Sequence, residues 1–274
     1  MSEALTLNGV SLATMAYMLP DISGIMSTPA RRGENVTVPG RHGAIRTRNK
    51  RFDPAEIVLP LWILGCEEDG SIPGGSTAAE EFFNRRDELL KLLYSDPLIL
   101  EYTRPDGRAV QASVEVAGDP VDFTRVAAQP IGKVAVALTV TDAFWSDSST
   151  VTQTVTGSTG VVQALTAFEG ATAPMADLVL TFGPCNNPTL TAGNRFVTYN
   201  GVISAGRQLV MNTSNWTVGP GTGTSWSPDL RQVTFGPGPT WFELSPTVET
   251  VTFTHTGGGS ATCSIAGHRK YLSP

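Results

Sequence analysis

Alternation of apolar and polar positions dominates the first half of the chain and predicts β-strands. Apolar residues occupy every second position in 134–140 and again in 110–116. A period of two is typical of a strand with one buried face. The run from Leu59 to Leu64 is apolar throughout, which predicts a short buried strand, and Pro60 within it predicts an edge position or a bulge.

One segment of the first half has a helical pattern instead. Thr77-Ala78-Ala79-Glu80 is a capping box, in which the hydroxyl and the carboxylate satisfy free backbone NH groups. One helical face then collects apolar side chains, namely Phe82, Leu89 and Leu93, with Phe83 and Leu90 beside them. We expect the charged residues to face solvent, namely Arg85, Arg86, Asp87 and Lys91. Asp96-Pro97 is expected to end the helix.

The second half of the chain has short alternating runs separated by Gly, Pro and Asn turns. Asn200-Gly201 predicts a hairpin, because both residues accept a positive φ. Short strands at this spacing predict a β-sandwich. We therefore predict a mainly β protein with two domains. Residues 1–145 form a β-sandwich or split barrel with one α-helix, and residues 146–274 form a second β-sandwich.

Composition and charge exclude several classes of function. Charged residues make up only 16% of the chain, the net charge is -6, and this acidic balance argues against a general nucleic-acid binder. The longest apolar run, 57–66, contains Pro60 and is too short to span a bilayer. The acidic start of the chain, with no apolar segment after it, leads us to expect no signal peptide and no membrane insertion.

Residues that could support catalysis or metal binding are sparse. The three cysteines, Cys66, Cys185 and Cys263, lie far apart, so we expect free buried thiols in a reducing compartment and no zinc site. There are only three histidines, and we expect His255 to pack in the core, in phase with Phe253. The six acids of the second half are scattered. We therefore expect no enzyme activity, no catalytic residue and no cofactor.

A basic segment stands out against the acidic whole. Residues 31–51 contain seven Lys and Arg residues and one acid, Glu34. Such a cluster could contact phosphates. It could equally be a solvated or intersubunit face, and the lack of interleaved aromatic residues favours this second interpretation. A basic face that meets an acidic face of a neighbour would fix the register of a self-assembling subunit.

The order of motifs in the first half resembles a known family. An Asn-Gly turn follows the opening strand, and the turn Pro39-Gly40-Arg41-His42-Gly43 lies in the basic segment. The capped helix and the strands that end at Trp145 follow. This order resembles the N-terminal domain of siphophage distal tail proteins (Dit), also described as minor tail proteins. The segment 199–212 looks like the strand, turn and strand of the C-terminal sandwich of actinobacteriophage relatives, which is galectin-like in the family.

The resemblance implies a structural role at the virion tail tip, in a protein made in the host cytoplasm. The N-terminal domains would form a hexameric ring that stacks on the tail tube protein on one side and meets the tail-associated tip protein on the other. The C-terminal domains would point outwards and hold receptor-binding proteins or touch the host surface. DNA would pass through the lumen of the ring without sequence-specific contacts. Pro39, Gly40, Arg41, His42 and Gly43 match the family motif, and we assign them to ring contacts.

A second hypothesis is a lectin-like adhesion module that recognises host cell-wall glycans. Sugar sites stack a ring on an exposed aromatic side chain and bind its hydroxyls through a few polar groups. Trp216 and Trp226 flank a Gly-rich segment and are the candidates for glycan contact, whereas Trp241 beside Phe242 is expected in the core. Polar residues near them in sequence are Asn212, Asn215 and Asp229. The host, the receptor and the exact oligomer number stay open at this point.

Overall fold

The computed structural model describes residues 3–12, 17–19, 23–33, 36–37, 44–45, 51–67, 70–72, 77–118, 121–126, 129–157, 161–222, 226–236, 242–257 and 260–274. The chain divides into two compact units. Unit 1 is Met1–Ser146 with Leu272–Pro274, and unit 2 is Asp147–Tyr271. The expected boundary between residues 145 and 146 lies one residue from this division, but the last three residues group with unit 1. The assignment of residues 1–145 and 146–274 to two domains stays a prediction.

Unit 1 contains one α-helix in its described part, α1 (Ala78–Leu93). Its strands are β1 (Ala4–Leu7), β2 (Val10–Ser11), β3 (Tyr17–Met18), β4 (Arg31–Arg32), β5 (Val36–Thr37), β6 (Ala44–Ile45), β7 (Arg51–Phe52), β8 (Ala55–Leu64), β9 (Ile99–Thr103), β10 (Ala109–Val116), β11 (Phe123–Arg125) and β12 (Ile131–Val140). Strand β13 (Trp145–Asp147) crosses the division between the units.

The main sheet of unit 1 is antiparallel, in the order β2-β1-β9-β10-β12-β8-β3. Strand β10 joins its two halves, because Ala109–Ser113 pairs with β9 and Val114–Val116 pairs with β12. The predicted alternation is confirmed in β12, where Val134, Val136, Leu138 and Val140 are all buried. In β10, Val110, Ala112 and Val114 are buried in the same way.

Strand β8 differs from the short apolar strand that the sequence predicts. It extends over ten residues and alternates, so that Ile57 is 1% exposed and its neighbour Val58 is 53% exposed. Its pairing with β12 runs without interruption from Leu64 to Ala55, so Pro60 causes no bulge. On its other side, within the described residues, β8 pairs with β3 only at Trp62 and Ile63. Within the described residues, Pro60 therefore has a ladder partner on the β12 side only, which agrees with the predicted edge position.

Helix α1 begins as predicted. Thr77 Oγ1 accepts from the Glu80 amide at 3.3 Å, and the Glu80 carboxylate accepts from the Thr77 amide at 2.8 Å. Phe82, Leu89 and Leu93 are buried against the sheet. The ring of Phe82 occupies the space that a Cβ on Gly132 would need, at 2.8 Å, so the helix packs on a strand position that only glycine fills without a shift.

The expectation that Arg85 faces solvent is wrong. Arg85 is 5% exposed, because positions 82, 85 and 89 share one helical face. Its Nη1 donates to the carbonyls of Leu64 and Cys66 at 2.9 and 3.1 Å, where β8 ends. Its Nε donates to Glu81 at 2.7 Å, and its Nη2 pairs with Glu67. The guanidinium is buried with its donors occupied, and it anchors the helix to the end of the strand.

Unit 2 is a sandwich of two antiparallel sheets. Its strands are β14 (Val151–Gly157), β15 (Val161–Ala164), β16 (Val179–Phe182), β17 (Cys185–Ala192), β18 (Arg195–Tyr199), β19 (Val202–Ile203), β20 (Leu209–Asn212), β21 (Thr217–Pro220), β22 (Val233–Phe235), β23 (Thr250–Thr256), β24 (Ala261–Gly267) and β25 (Lys270–Tyr271). One sheet has the order β14-β24-β16-β20-β21, and the other β15-β23-β17-β18-β22 with β19 beside β17.

Apolar side chains from both sheets fill the centre of unit 2. Phe182 from one sheet and Phe253 from the other lie with ring centroids 6.0 Å apart. The prediction that His255 packs in the core is confirmed, since it is 8% exposed and its Nε2 lies 2.7 Å from the Gly157 carbonyl. The sequence pattern therefore located the inner face of β23 correctly.

The hairpin expected at Asn200-Gly201 is wrong. Strand β19 pairs with β17 and not with β18, so the chain leaves the β18 ladder at this point. Neither residue has a positive φ, and Asn200 Nδ2 donates instead to the Gln232 carbonyl at 3.0 Å. The pair Asn8-Gly9 does form a tight hairpin between β1 and β2, with φ values of 46° and 80°.

In the described part of the chain, no helix has the length and apolar character needed to cross a membrane.

Candidate interaction surfaces

The basic segment, residues 31–51, is described only in part. Strand β4 pairs with β7, and β5 pairs with β6, as two small antiparallel ladders apart from the main sheet. The motif Pro39, Gly40, Arg41, His42 and Gly43 lies between β5 and β6 in sequence, outside the described residues. The structure therefore shows what flanks the motif and leaves its role as a prediction.

The start and end of the basic segment are held to the rest of unit 1. Phe52 packs edge-on against Phe144 with ring centroids 5.1 Å apart. The Arg31 guanidinium carbon lies 5.4 Å from the Phe52 ring centroid, and Arg32 Nε lies 2.7 Å from Asp53 Oδ1. Both arginines are exposed. The strand pair β4–β7 thus carries two exposed arginines, of which Arg32 is paired with Asp53.

Trp226 packs against unit 2. It is half-buried beside the core, and its Nε1 donates to the Gln208 carbonyl at 3.1 Å. Its ring meets Tyr199 edge-on at 6.3 Å, and the Arg207 guanidinium carbon lies 5.8 Å from its centroid. The indole NH and much of the ring are therefore occupied, which leaves little surface for stacking a sugar.

Trp216 is placed differently. It is 49% exposed and lies in the loop between β20 and β21. Its φ is +59°, a left-handed conformation that costs a bulky L residue free energy. The Asn215 side-chain oxygen accepts from the Thr217 hydroxyl at 2.7 Å, and the Asn212 oxygen accepts from the Ser214 amide at 3.0 Å. Asp229 caps a 3-10 turn through the Arg231 amide.

The thiols of unit 2 are held in the protonated form. Burial raises the pKa of the Cys185 thiol to about 11 and also raises the pKa of the Cys263 thiol. The three cysteines are free, Cys263 fully buried and Cys66 and Cys185 half-buried. A thiolate nucleophile or ligand needs the opposite shift. The described residues contain no group of three or more His, Cys, Asp and Glu that could hold a metal ion.

The structure also brings together two acids that the sequence pattern described as scattered. Glu169 and Glu249 line one cleft in unit 2, although 80 positions separate them in the chain. No local motif carries such a pair, because neither glutamate has an acidic neighbour in sequence. Only the pairing of the strands around them could have revealed it.

Comparison with known proteins is informative for the fold. No family model matches the chain, and a search of curated proteins finds no match. The chain is similar in structure to the SPP1 Dit (gp 19.1) protein, described as a paradigm of hub adsorption apparatus in Gram-positive infecting phages. The match covers 98% of this chain and 99% of that chain, with a TM-score of 0.66 and 12% sequence identity.

A second solved structure, of the infectious bursal disease virus Gx strain, has a TM-score of 0.14 at 12% identity, over 88% of this chain and 63% of that chain. The match to the SPP1 Dit protein confirms the resemblance to siphophage distal tail proteins for the fold. The chain has the Dit fold, mainly β with one α-helix in its described part and several antiparallel sheets.

Proposed function

We propose that this chain is a structural subunit of a phage tail-tip hub, without enzymatic activity. The observation that carries the proposal is the match to a Dit hub protein over nearly the whole length of both chains. Both units take part in the match, so the likeness is to a complete hub architecture and not to a single common β-sandwich. Function still has to be argued separately from fold, which is why the assembly must be tested directly.

The proposed partners follow from this role. Copies of the chain would form a closed, hexameric ring, with the tail tube protein on one side and the tail-associated tip protein on the other. Unit 2 would face outwards and hold a receptor-binding protein or touch the host surface. A heterologous interface between identical subunits closes into a ring when its rotation allows, which suits a hub around a central channel.

Within this role we assign the motif Pro39-Gly43 to contacts between ring subunits. Arg41 would donate two hydrogen bonds to a carboxylate of the neighbouring subunit. The exposed, anchored arginines at the start of the basic segment, Arg31 and Arg32, support a role of this segment in association.

Native mass spectrometry and negative-stain imaging of the purified chain, alone and with its tail tube protein, test the proposal. A six-subunit ring with a central hole is the expected result. A monomer that persists in the presence of the tube protein would contradict it. Arg41→Ala should weaken the ring, whereas Arg104→Ala should not, because Arg104 pairs with Asp106 in its own turn. Equal assembly of both variants would remove the contact assigned to Arg41.

Glycan binding by unit 2 is the second candidate, and one observation favours it. Trp216 is half exposed in a strained backbone conformation, and short polar residues surround it in the loop. Residues in sparsely populated backbone conformations cluster at ligand-binding and active sites. Retention on an array of cell-wall glycans should be lost in Trp216→Ala and kept in the matched variant Phe235→Ala, which removes a ring that is 41% exposed. No retention by the unmodified chain would end this candidate.

A further inference from the structure

One end of unit 2 carries exposed apolar side chains next to two arginines. The residues of this surface, which we call the β19 patch, are Val202, Arg207, Trp226, Leu230 and Arg231. Val202 on β19 is 62% exposed, and Leu230 in a 3-10 turn is 50% exposed. The two segments are joined, because the Asn200 backbone amide donates to the Gln232 carbonyl at 2.7 Å. Apolar side chains gathered at one exposed place, with polar groups around them, mark interaction sites.

Contacts within unit 2 hold the basic part of the patch in place. The Arg207 guanidinium carbon lies 5.8 Å from the Trp226 ring centroid. That ring is itself fixed, since Trp226 Nε1 donates to the Gln208 carbonyl at 3.1 Å. Arg231 lies in the 3-10 turn that Asp229 caps, where the Arg231 amide donates to the carboxylate at 2.8 Å. Because the Arg207 side chain already rests on the indole, it loses less conformational entropy when its head pairs with a ligand.

Neither arginine of the patch forms an ion pair with a carboxylate in the described part of the chain. All five Lys and Arg residues of unit 2 lie in described segments. Three of them pair with a carboxylate: Arg195 with Glu243 at 3.6 Å, Lys270 with Asp177 at 3.1 Å, and Arg269 with Asp147 at 2.5 Å. Arg207 and Arg231 are the other two, and both are exposed. Two such cations beside an apolar surface give a local positive potential.

The chemistry of the patch selects the ligand. A guanidinium donates two parallel hydrogen bonds to one carboxylate, so the arginines favour an acidic partner. Val202 and Leu230 add an aliphatic contact, which a partner with apolar side chains can cover. A nucleic acid would need open aromatic faces on which its bases stack, whereas the Trp226 ring is half-buried beside Arg207. An acidic polypeptide segment with apolar side chains fits all three features, and Arg and Trp are enriched among the residues that contribute most to protein interfaces.

We infer that the β19 patch binds a segment of a partner protein in which carboxylates accompany apolar side chains. The inference rests on the proposed function in one respect, namely that unit 2 holds another protein, and it adds the surface and the chemistry of the bound segment. It does not depend on the ring, because every residue of the patch lies in unit 2. In the complex, Arg207 and Arg231 pair with carboxylates, and the apolar side chains of the partner cover Val202 and Leu230.

Fluorescence anisotropy of a labelled hexapeptide of alternating glutamate and leucine, titrated with the full chain, tests the inference. This peptide should bind, whereas peptides that alternate lysine with leucine, or glutamate with serine, should not. The double variant Arg207→Gln/Arg231→Gln should bind the glutamate–leucine peptide about 5- to 10-fold more weakly. The matched double variant Arg86→Gln/Lys91→Gln changes the net charge equally on α1 and should bind as the unmodified chain does.

A second pair of variants tests the apolar contact. Val202→Ser should weaken binding of the glutamate–leucine peptide about 3-fold, because it removes aliphatic surface that the leucines cover. Val58→Ser is the matched control, since it changes a valine that is 53% exposed in unit 1, and it should leave binding unchanged.

Four outcomes would overturn the inference: no binding of the glutamate–leucine peptide, equal binding of either control peptide, equal weakening in both double variants, or tighter binding of a hexathymidine oligonucleotide. The last would assign the patch to phosphates. Native mass spectrometry of Arg207→Gln/Arg231→Gln separates this result from the hub proposal. A variant that forms the ring and binds the peptide undiminished refutes the β19 patch alone, whereas an unmodified chain that binds the peptide and forms no ring with its tube protein refutes the hub alone.

Discussion

The two units stabilise their β-structure in different ways. Unit 1 covers its sheet with a helix, and a buried arginine ties that helix to the end of β8. Unit 2 packs two sheets face to face around an apolar centre that includes the Phe182 and Phe253 rings. The charge distribution follows this division, since residues 1–145 hold 14 of the 19 Lys and Arg residues.

The difference shows where each unit is vulnerable. A sandwich depends on the volume of the side chains between its sheets, because close packing tolerates few voids. The stability of a helix that docks through a buried charge depends on all the hydrogen bonds of that charge. If the charge is removed, each buried acceptor is left without a donor and its desolvation cost is no longer offset. The following substitutions test this contrast, from the largest expected effect to the smallest.

Phe253→Ala should destabilise unit 2 by about 3–5 kcal/mol, because it leaves a cavity between the sheets. Hydrogen exchange followed by mass spectrometry would show the loss in β14–β24 and little change in α1 and β8. Phe235→Ala is the control, since that ring is 41% exposed. Equal loss of protection in both units would show that they unfold as one, which would break the comparison.

Arg85→Met should destabilise unit 1 by about 3 kcal/mol, because Glu81 and the carbonyls of Leu64 and Cys66 lose their donor. Chemical denaturation monitored by exchange in α1 measures the change. Arg86→Met is the matched control and should alter stability by less than about 0.5 kcal/mol, because that side chain is half-buried and its ion pair is with the exposed neighbour Asp87. A neutral result for Arg85→Met would mean that apolar packing alone docks the helix.

Trp216→Gly should be more stable than Trp216→Ala by about 1 kcal/mol. Both variants lose the indole, so their difference isolates the cost of the positive φ at this position. Thermal unfolding of unit 2 measures the difference. Equal stabilities would show that the loop relaxes away from the left-handed conformation and that no strain is stored there.

Alkaline pH should weaken unit 2 before unit 1. Burial raises the pKa of Cys185 from 9.0 to about 11, and it raises the pKa of Tyr17, with a further contribution from Glu88, from 10.0 to about 12. A raised pKa in the folded state favours the protonated form. The contribution of such a group to the free energy of unfolding is full below its pKa in the unfolded state. It is lost as the pH rises through its pKa in the folded state. Unit 2 should therefore begin to lose stability near pH 9, and unit 1 near pH 10.

Thermal unfolding between pH 7 and pH 11, with Cys185→Ala as the comparison, measures this small effect. The variant should show a shallower decline in unit 2 and the same decline in unit 1. An unchanged slope would assign the alkaline loss in unit 2 to another group, with buried Cys263 the next to test.

Much of the fold was predictable from local patterns. The alternation in β10 and β12 and the capping box at Thr77 depend on residues within a few positions of one another. Local backbone geometry then decides which side chains share a face. The candidate sites were less accessible. From their positions in the sequence, Trp216 and Trp226 are equal candidates for exposure. In the structure Trp226 packs against the Tyr199 ring and donates to the Gln208 carbonyl.

Two Asn-Gly pairs separate what the sequence determined from what the tertiary structure decided. The sequence by itself determined strand periodicity, the start of the helix and the turn at Asn8-Gly9, because each depends on short-range sterics and hydrogen bonds. The pair Asn200-Gly201 has the same local preference for a hairpin. In the structure, however, β19 pairs with β17, and the Asn200 side-chain amide donates a hydrogen bond to the Gln232 carbonyl. The burial of Arg85 and the presence of Glu169 and Glu249 in one cleft likewise depend on segments distant in the chain. Which strands pair is set by burial of the whole core, and no local window contains that information.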